Sequence, residues 1–190
     1  AFVVSGCAII LAFVLMYTVN YNGYMQNTTL IRAMGERTSE GPLHNLELFK
    51  QAIAYQSYGT SEVREQLGQL ALNGLDPTKG ITDIQLQFAT LAASELKIQA
   101  AALPNDARYQ LFAGNFYSRA GHLDEAIEYL TKASELSPRK QTILFELANA
   151  YYQKKNITKA EELFKQAYDL APGYDIAKKY YGRILQVEGK

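Results

Sequence analysis

Hydrophobic and polar positions divide the chain unevenly. From Ala1 to Val19 almost every residue is apolar, and the first charged side chain is Arg32. Further along, apolar residues return every third or fourth position, as on a helix with one buried face. Leu46, Phe49 and Ile53 are one such set. The two-residue alternation of a half-buried strand does not occur, so the chain reads as all-α.

The apolar run is about the length that crosses a hydrocarbon core of roughly 30 Å. Tyr17, Tyr21 and Tyr24 follow it, where an aromatic belt would sit. Residues 1–20 are therefore expected to form a transmembrane helix, with the lipid bilayer as a partner and a membrane localisation, the bacterial inner membrane being the expected one. A secretory signal would need a basic leader and a small-residue cleavage site, and neither is present. A lipoprotein signal is suggested by Val4 to Cys7, but the apolar core runs on for twelve residues past the cysteine. The chain opens on Ala1 inside an apolar run, which suggests a piece of a longer protein. Only Arg32 and Arg37 lie close to the run, and this scarcity of positive charge leans the remainder outward.

Residues 21–45 read as a juxtamembrane segment: a short amphipathic helix over 28–36, then a loop over 38–45 rich in polar residues. Residues 46–103 read as degenerate helical pairs. Tyr58 and Gly59 break the chain, and Thr60 or Ser61 is placed to cap the next helix. Asn73 to Pro77 is a turn. Thr82 and Gln85 are spaced as a capping box before a helix reaching about Ala102. The text from Leu48 to Ala52 recurs verbatim from Leu163 to Ala167, at a separation of 115 residues.

From about residue 104 the chain repeats itself. Gly114, Tyr117, Gly121, Ala126, Leu130, Ala133 and Pro138 are followed 34 positions later by Ala148, Tyr151, Lys155, Ala160, Phe164, Ala167 and Pro172. Small residues let two helix axes approach, large ones fill the space between them, and the prolines stand where one unit ends. One helix pair cannot cover its own apolar face, so units must stack. A 34-residue period with these residue types resembles the tetratricopeptide repeat (TPR). Two units fit, 107–140 and 141–174, within a segment spanning 104–190. A lone helix over 175–188, carrying Lys178, Lys179, Tyr180, Tyr181 and Arg183, reads as a solvent-facing cap. The resemblance implies a right-handed α-solenoid of antiparallel helix pairs. The first family turn glycine is present as Gly121 but becomes Lys155 and Asn156 in the second unit, where Asn156 is expected to take positive φ.

The resemblance also implies a concave groove lined by the first helix of each unit, which in the family receives peptides. Its groove positions fall on Arg108, Phe112, Asn115 and Arg119, then on Glu146, Asn149, Tyr152 and Gln153. Asn115 and Asn149 lie one period apart, and an Asn amide both donates and accepts, which suits a peptide backbone. The family's carboxylate clamp would need a Lys where Leu111 stands and an Asn where Glu146 stands. Recognition of a C-terminal carboxylate is therefore not expected. More loosely, residues 1–70 resemble in layout the TPR-bearing tail of O-antigen ligase and polymerase-like membrane proteins. That likeness implies glycan chemistry upstream of Ala1.

Composition narrows the classes. Lys+Arg and Asp+Glu are each 19, so the chain is formally neutral and lacks the basic excess of a nucleic-acid binder. One cysteine excludes an internal disulfide. Cys7, within the apolar run, reads as a small hydrophobe. His44 and His122 have no ligand partner at metal-binding spacing, and no metal or cofactor is expected. No catalytic constellation is visible. The expected function is a membrane-tethered, non-catalytic scaffold for protein–protein interaction, with the ligase tail as the alternative.

Overall fold

The structure is a computed structural model that describes residues 2–35, 41–74, 80–170, 172–173 and 178–182. The side chains of residues 2–5, 7, 8 and 19 are outside the description, so the packing expected of Cys7 lies outside the described residues. Eight helices account for almost all of it: α1 Phe2–Met34, α2 Gly41–Ala54, α3 Thr60–Gly74, α4 Asp83–Ala102, α5 Ala107–Arg119, α6 Leu123–Leu136, α7 Gln141–Gln153 and α8 Ile157–Leu170. They associate as four successive pairs, α1–α2, α3–α4, α5–α6 and α7–α8, each stacked on the next. Alternate helices also touch, α3 with α5 and α5 with α7, so the first helices of the pairs share one face. This is an all-helical, TPR-like solenoid.

In the last two pairs the packing follows the repeat. Ala126, Leu130 and Ala133 of α6, and Ala160, Phe164 and Ala167 of α8, are fully buried. Gly114 shows why that position is small: a Cβ there would lie 2.5 Å from Leu130 Cγ. Two apolar clusters run through the stack, one from α1 to α5 and one from α6 to α8, and Tyr117 packs against both. Its hydroxyl donates to the Ala93 carbonyl at 3.1 Å, which anchors α5 on α4. Its ring stacks on Tyr129 with centroids 5.5 Å apart.

The earlier pairs are joined by buried polar groups. Gln26 is wholly buried on α1; its Nε2 donates to the Ala52 carbonyl and to Thr60 Oγ1, both at 2.9 Å. Its Oε1 accepts from Ser57 Oγ. Arg64 of α3 donates to Glu95 at 2.8 Å and to Gln99 at 2.7 Å on α4. Gln110, buried at the start of α5, donates to the Ala100 carbonyl at 2.9 Å and so satisfies one free carbonyl at the end of α4. The Thr82–Gln85 capping box is formed. Thr60 does not cap α3; it is the first helical residue and gives its hydroxyl to the Ser57 carbonyl at 2.7 Å.

The N-terminal expectations need correction. The apolar run does not end as an element at residue 20. α1 continues unbroken through Asn20, Asn22 and Gln26, and Gln26, Thr29, Leu30 and Ala33 are buried in the solenoid. The short helix expected over 28–36 is thus the end of α1. Among the described residues no helix is long and apolar enough to cross a membrane. That finding contradicts the expected membrane localisation with its outward orientation, and leaves the transmembrane assignment of residues 1–20 and the bilayer as partner without support. The loop expected over 38–45 is shorter, because α2 already begins at Gly41; residues 36–40 lie outside the described residues.

Two details at the other end also differ. Lys155, not Asn156, takes the left-handed conformation, with φ +67° against +85° at Gly121 one period earlier. Asn156 instead uses Oδ1 to accept from the Lys159 amide at 3.2 Å at the start of α8. Within the terminal segment, residues 178–182 are helical, and Tyr180 packs against Phe164 and Phe145 with centroids 5.6 and 5.1 Å apart. Tyr180 and Tyr181 therefore cover the last core instead of facing solvent. The rest of the expected cap, 175–177 and 183–188, lies outside the described residues.

Candidate peptide groove

The face shared by α3, α5 and α7 contains a pocket of about 400 Å³. α5 runs along its floor and contributes Phe112, Asn115, Phe116, Ser118 and Arg119. These positions recur at helical spacing and project from one side of α5. α7 adds Glu146 and Asn149, one period after Phe112 and Asn115. Equivalent residues of stacked pairs therefore meet across the same cavity.

Five of the eight positions expected to line a groove are brought together: Phe112, Asn115, Arg119, Glu146 and Asn149. Three are not. Arg108 turns toward α3, where its Nη2 lies 2.9 Å from Glu65 Oε1, and its guanidinium covers Tyr109 at 4.8 Å from the ring centroid. Tyr152 is exposed beyond the pocket. Gln153 is exposed and donates to Ser118 Oγ at 3.2 Å, touching the pocket only through that residue.

The third wall was not legible in the sequence. Gln69, Leu72 and Asn73 come from α3, whose pair departs from the 34-residue spacing because α4 is 20 residues long. The signal that could have found them is Gly68. A Cβ there would meet Leu96 and Phe112 at 3.2 Å, so this glycine lets α3 close against α4 and α5.

One polar atom of the pocket lacks a partner among the described residues. Asn115 Oδ1 is buried and accepts no hydrogen bond among the described residues. Such an acceptor carries a desolvation cost of about 1–3 kcal/mol until a donor reaches it. Burial pushes the Glu146 carboxyl above the usual carboxylate range, and the positive charge of Arg119 acts in the opposite direction. Of the side chains lining the pocket only Arg119 and Glu146 are charged; the remainder are amides, one hydroxyl and apolar groups. Among the described residues no three His, Cys, Asp or Glu side chains gather as metal ligands. The arrangement offers hydrogen bonding and a single carboxylate, with no paired acid–base or nucleophile geometry in this pocket.

Comparison with known proteins bears on the fold. Residues 107–175 match the tetratricopeptide repeat family. No curated protein matches the chain, and the likeness of residues 1–70 to O-antigen ligase tails finds no support in these comparisons. Among solved structures, the chain is similar to MamA, with 16% identity over 88% of this chain and 84% of that one, at a TM-score of 0.62. It is similar to a thermophilic TPR protein of Thermus thermophilus, with 23% identity over 75% and 72% of the two chains and a TM-score of 0.59. It is also similar to YrrB, a TPR protein with an unusual peptide-binding site, with 20% identity over 73% of this chain and a TM-score of 0.56. The match spans 64% of the YrrB chain. Residues 107–175 thus match the tetratricopeptide repeat, and they lie within an all-helical TPR-like solenoid.

Proposed function

We propose that the solenoid is a non-catalytic scaffold that grips an extended segment of a partner protein between α3, α5 and α7. The observation carrying this reading is Asn115: its Oδ1 is buried, has no partner among the described residues, and lies one period from Asn149 on the same pocket. A peptide backbone supplies donors and acceptors at regular spacing along an extended chain, and two amides on neighbouring helices can answer both. Phe112 gives one side chain of the peptide an apolar surface, while Gln69 and Asn73 supply further amides from the opposite wall. The peptide-binding site of YrrB, similar in fold, supports the same use of a TPR surface. Arg108, Tyr152 and Gln153 have no part in this reading.

The test is a random-peptide phage library panned on the full chain, with affinities of enriched peptides measured by fluorescence anisotropy. Asn115→Ala combined with Asn149→Ala should weaken binding by roughly tenfold or more, since each lost hydrogen bond is worth about 0.5–1.5 kcal/mol. Helicity by circular dichroism should stay unchanged. Equal affinity of the double variant and the parent would overturn the groove.

A further inference from the structure

Glu146 stands out among the lining residues. It is half-buried on α7, in a pocket whose other lining residues are all uncharged except Arg119. Its counterpart one period earlier is Phe112, so the carboxylate is not part of the repeat pattern. Arg119 is the one cation on the pocket, yet it is exposed, and among the described residues neither side chain forms an ion pair with the other. A carboxylate partly removed from water with no ion pair, and only the more distant charge of the exposed Arg119 to offset it, is held at a cost, and a cation that arrives with the ligand relieves it. Burial raises the Glu146 carboxyl because its ionised form loses solvation there, and Arg119 offsets only part of this.

We infer that the partner segment is basic at one place: a Lys or Arg side chain seats against Glu146 while the neighbouring backbone is held by Asn115 and Asn149. This deepens the groove reading above and rests on it. Charge complementarity selects this occupant. An acidic segment would have to bring a second carboxylate beside Glu146, and only Arg119, already largely solvated, could offset it. A neutral segment would cover the half-buried Glu146 further without giving it an ion pair. Long aliphatic stems suit the site too, because Lys and Arg lay their methylenes on apolar surface such as the Phe112 ring.

The experiment uses the peptides enriched on the full chain. They should carry Lys or Arg at one fixed position, and changing it to Gln should weaken binding to the parent by about tenfold. On the Glu146→Gln variant the same change should cost less than about twofold, and the Lys peptide should lose most of its salt sensitivity. Enrichment without a basic position, or an equal cost on parent and variant, overturns the inference. If Asn115→Ala with Asn149→Ala still weakens those peptides, the groove itself stands. Enrichment of Asp or Glu that disappears in Arg119→Gln would replace the basic segment by an acidic one. Peptides indifferent to both asparagines would overturn the groove and the basic segment together.

Discussion

The first two helix pairs and the last two reach the same stacked geometry by different chemistry. In α5–α8 the contacts are small apolar residues at fixed period, with Gly114 set against Leu130 and Ala148 at the matching place in α7. In α1–α4 buried polar side chains are added to the apolar core: Gln26 spans α1, α2 and α3, and Arg64 ties α3 to α4 through Glu95 and Gln99. Close packing fixes distance, whereas hydrogen bonds also fix partner and angle. A pair without the repeat's spacing can be held in register by the second means. The pocket lies at the seam, with α3 from the polar half and α5 and α7 from the periodic half.

Breaking the polar half should have the largest effect. Arg64→Ala leaves the buried Gln99 and the part-buried Glu95 without their donor and should destabilise by about 3 kcal/mol in urea denaturation. Arg64→Met with Glu95→Leu should restore most of that loss, because removing both charges leaves none uncompensated. A double variant as weak as the single one would mean that the charge pair is not what holds α3 on α4.

The periodic half should fail by overpacking. Gly114→Ala drives a methyl group into Leu130 and should lower stability by about 1–3 kcal/mol. Ala160→Leu, at a fully buried position, belongs to the same range. The reverse change in the second unit, Ala148→Gly, should cost only about 0.5–1 kcal/mol, from backbone freedom. Equal costs at 114 and 148 would show that the two units do not share a register.

A smaller effect separates the two inter-helix turns. Lys155 holds a left-handed backbone that costs a non-glycine residue roughly 1 kcal/mol, so Lys155→Gly should raise the melting temperature and Gly121→Lys should lower it.

The last prediction concerns pH. The folded-state pKa of Glu146 is raised by burial, so its ionised form destabilises the fold above that pKa, and the penalty fades as pH falls through it. Glu146→Gln should therefore melt higher than the parent at neutral pH, and the two should converge in acid. A difference that widens on acidification would contradict the assigned environment.

Different parts of this fold were legible to different degrees. Gly114, Ala126, Ala133 and their counterparts could be read because a period repeats the same steric demand twice. Gln26, Arg64 and Gln110 could not, since a polar residue on an amphipathic helix reads as solvated until a partner 10 to 35 residues away is known. In the pocket, Asn115 and Asn149 followed from the repeat, whereas Gln69 and Asn73 sit on a helix outside it. Asn156 misleads for a related reason: local preference favours Asn for positive φ, but the turn is closed on the Tyr151 and Tyr152 carbonyls and the left-handed residue falls one position earlier, at Lys155.

The unbroken course of α1 has a geometric consequence. At 1.5 Å per residue its 33 residues form a rod about 50 Å long. Among the described side chains the second half is the part held in the solenoid, through Gln26, Thr29, Leu30 and Ala33, while Ile9 to Tyr17 stand exposed on the first. Because no hinge separates the two halves, the rod has a set bearing relative to the pocket. Whatever meets the exposed stretch from Ile9 to Tyr17 meets the groove at a fixed heading, and the buried amide of Gln26, in the C-terminal third of the rod, helps to set that aim.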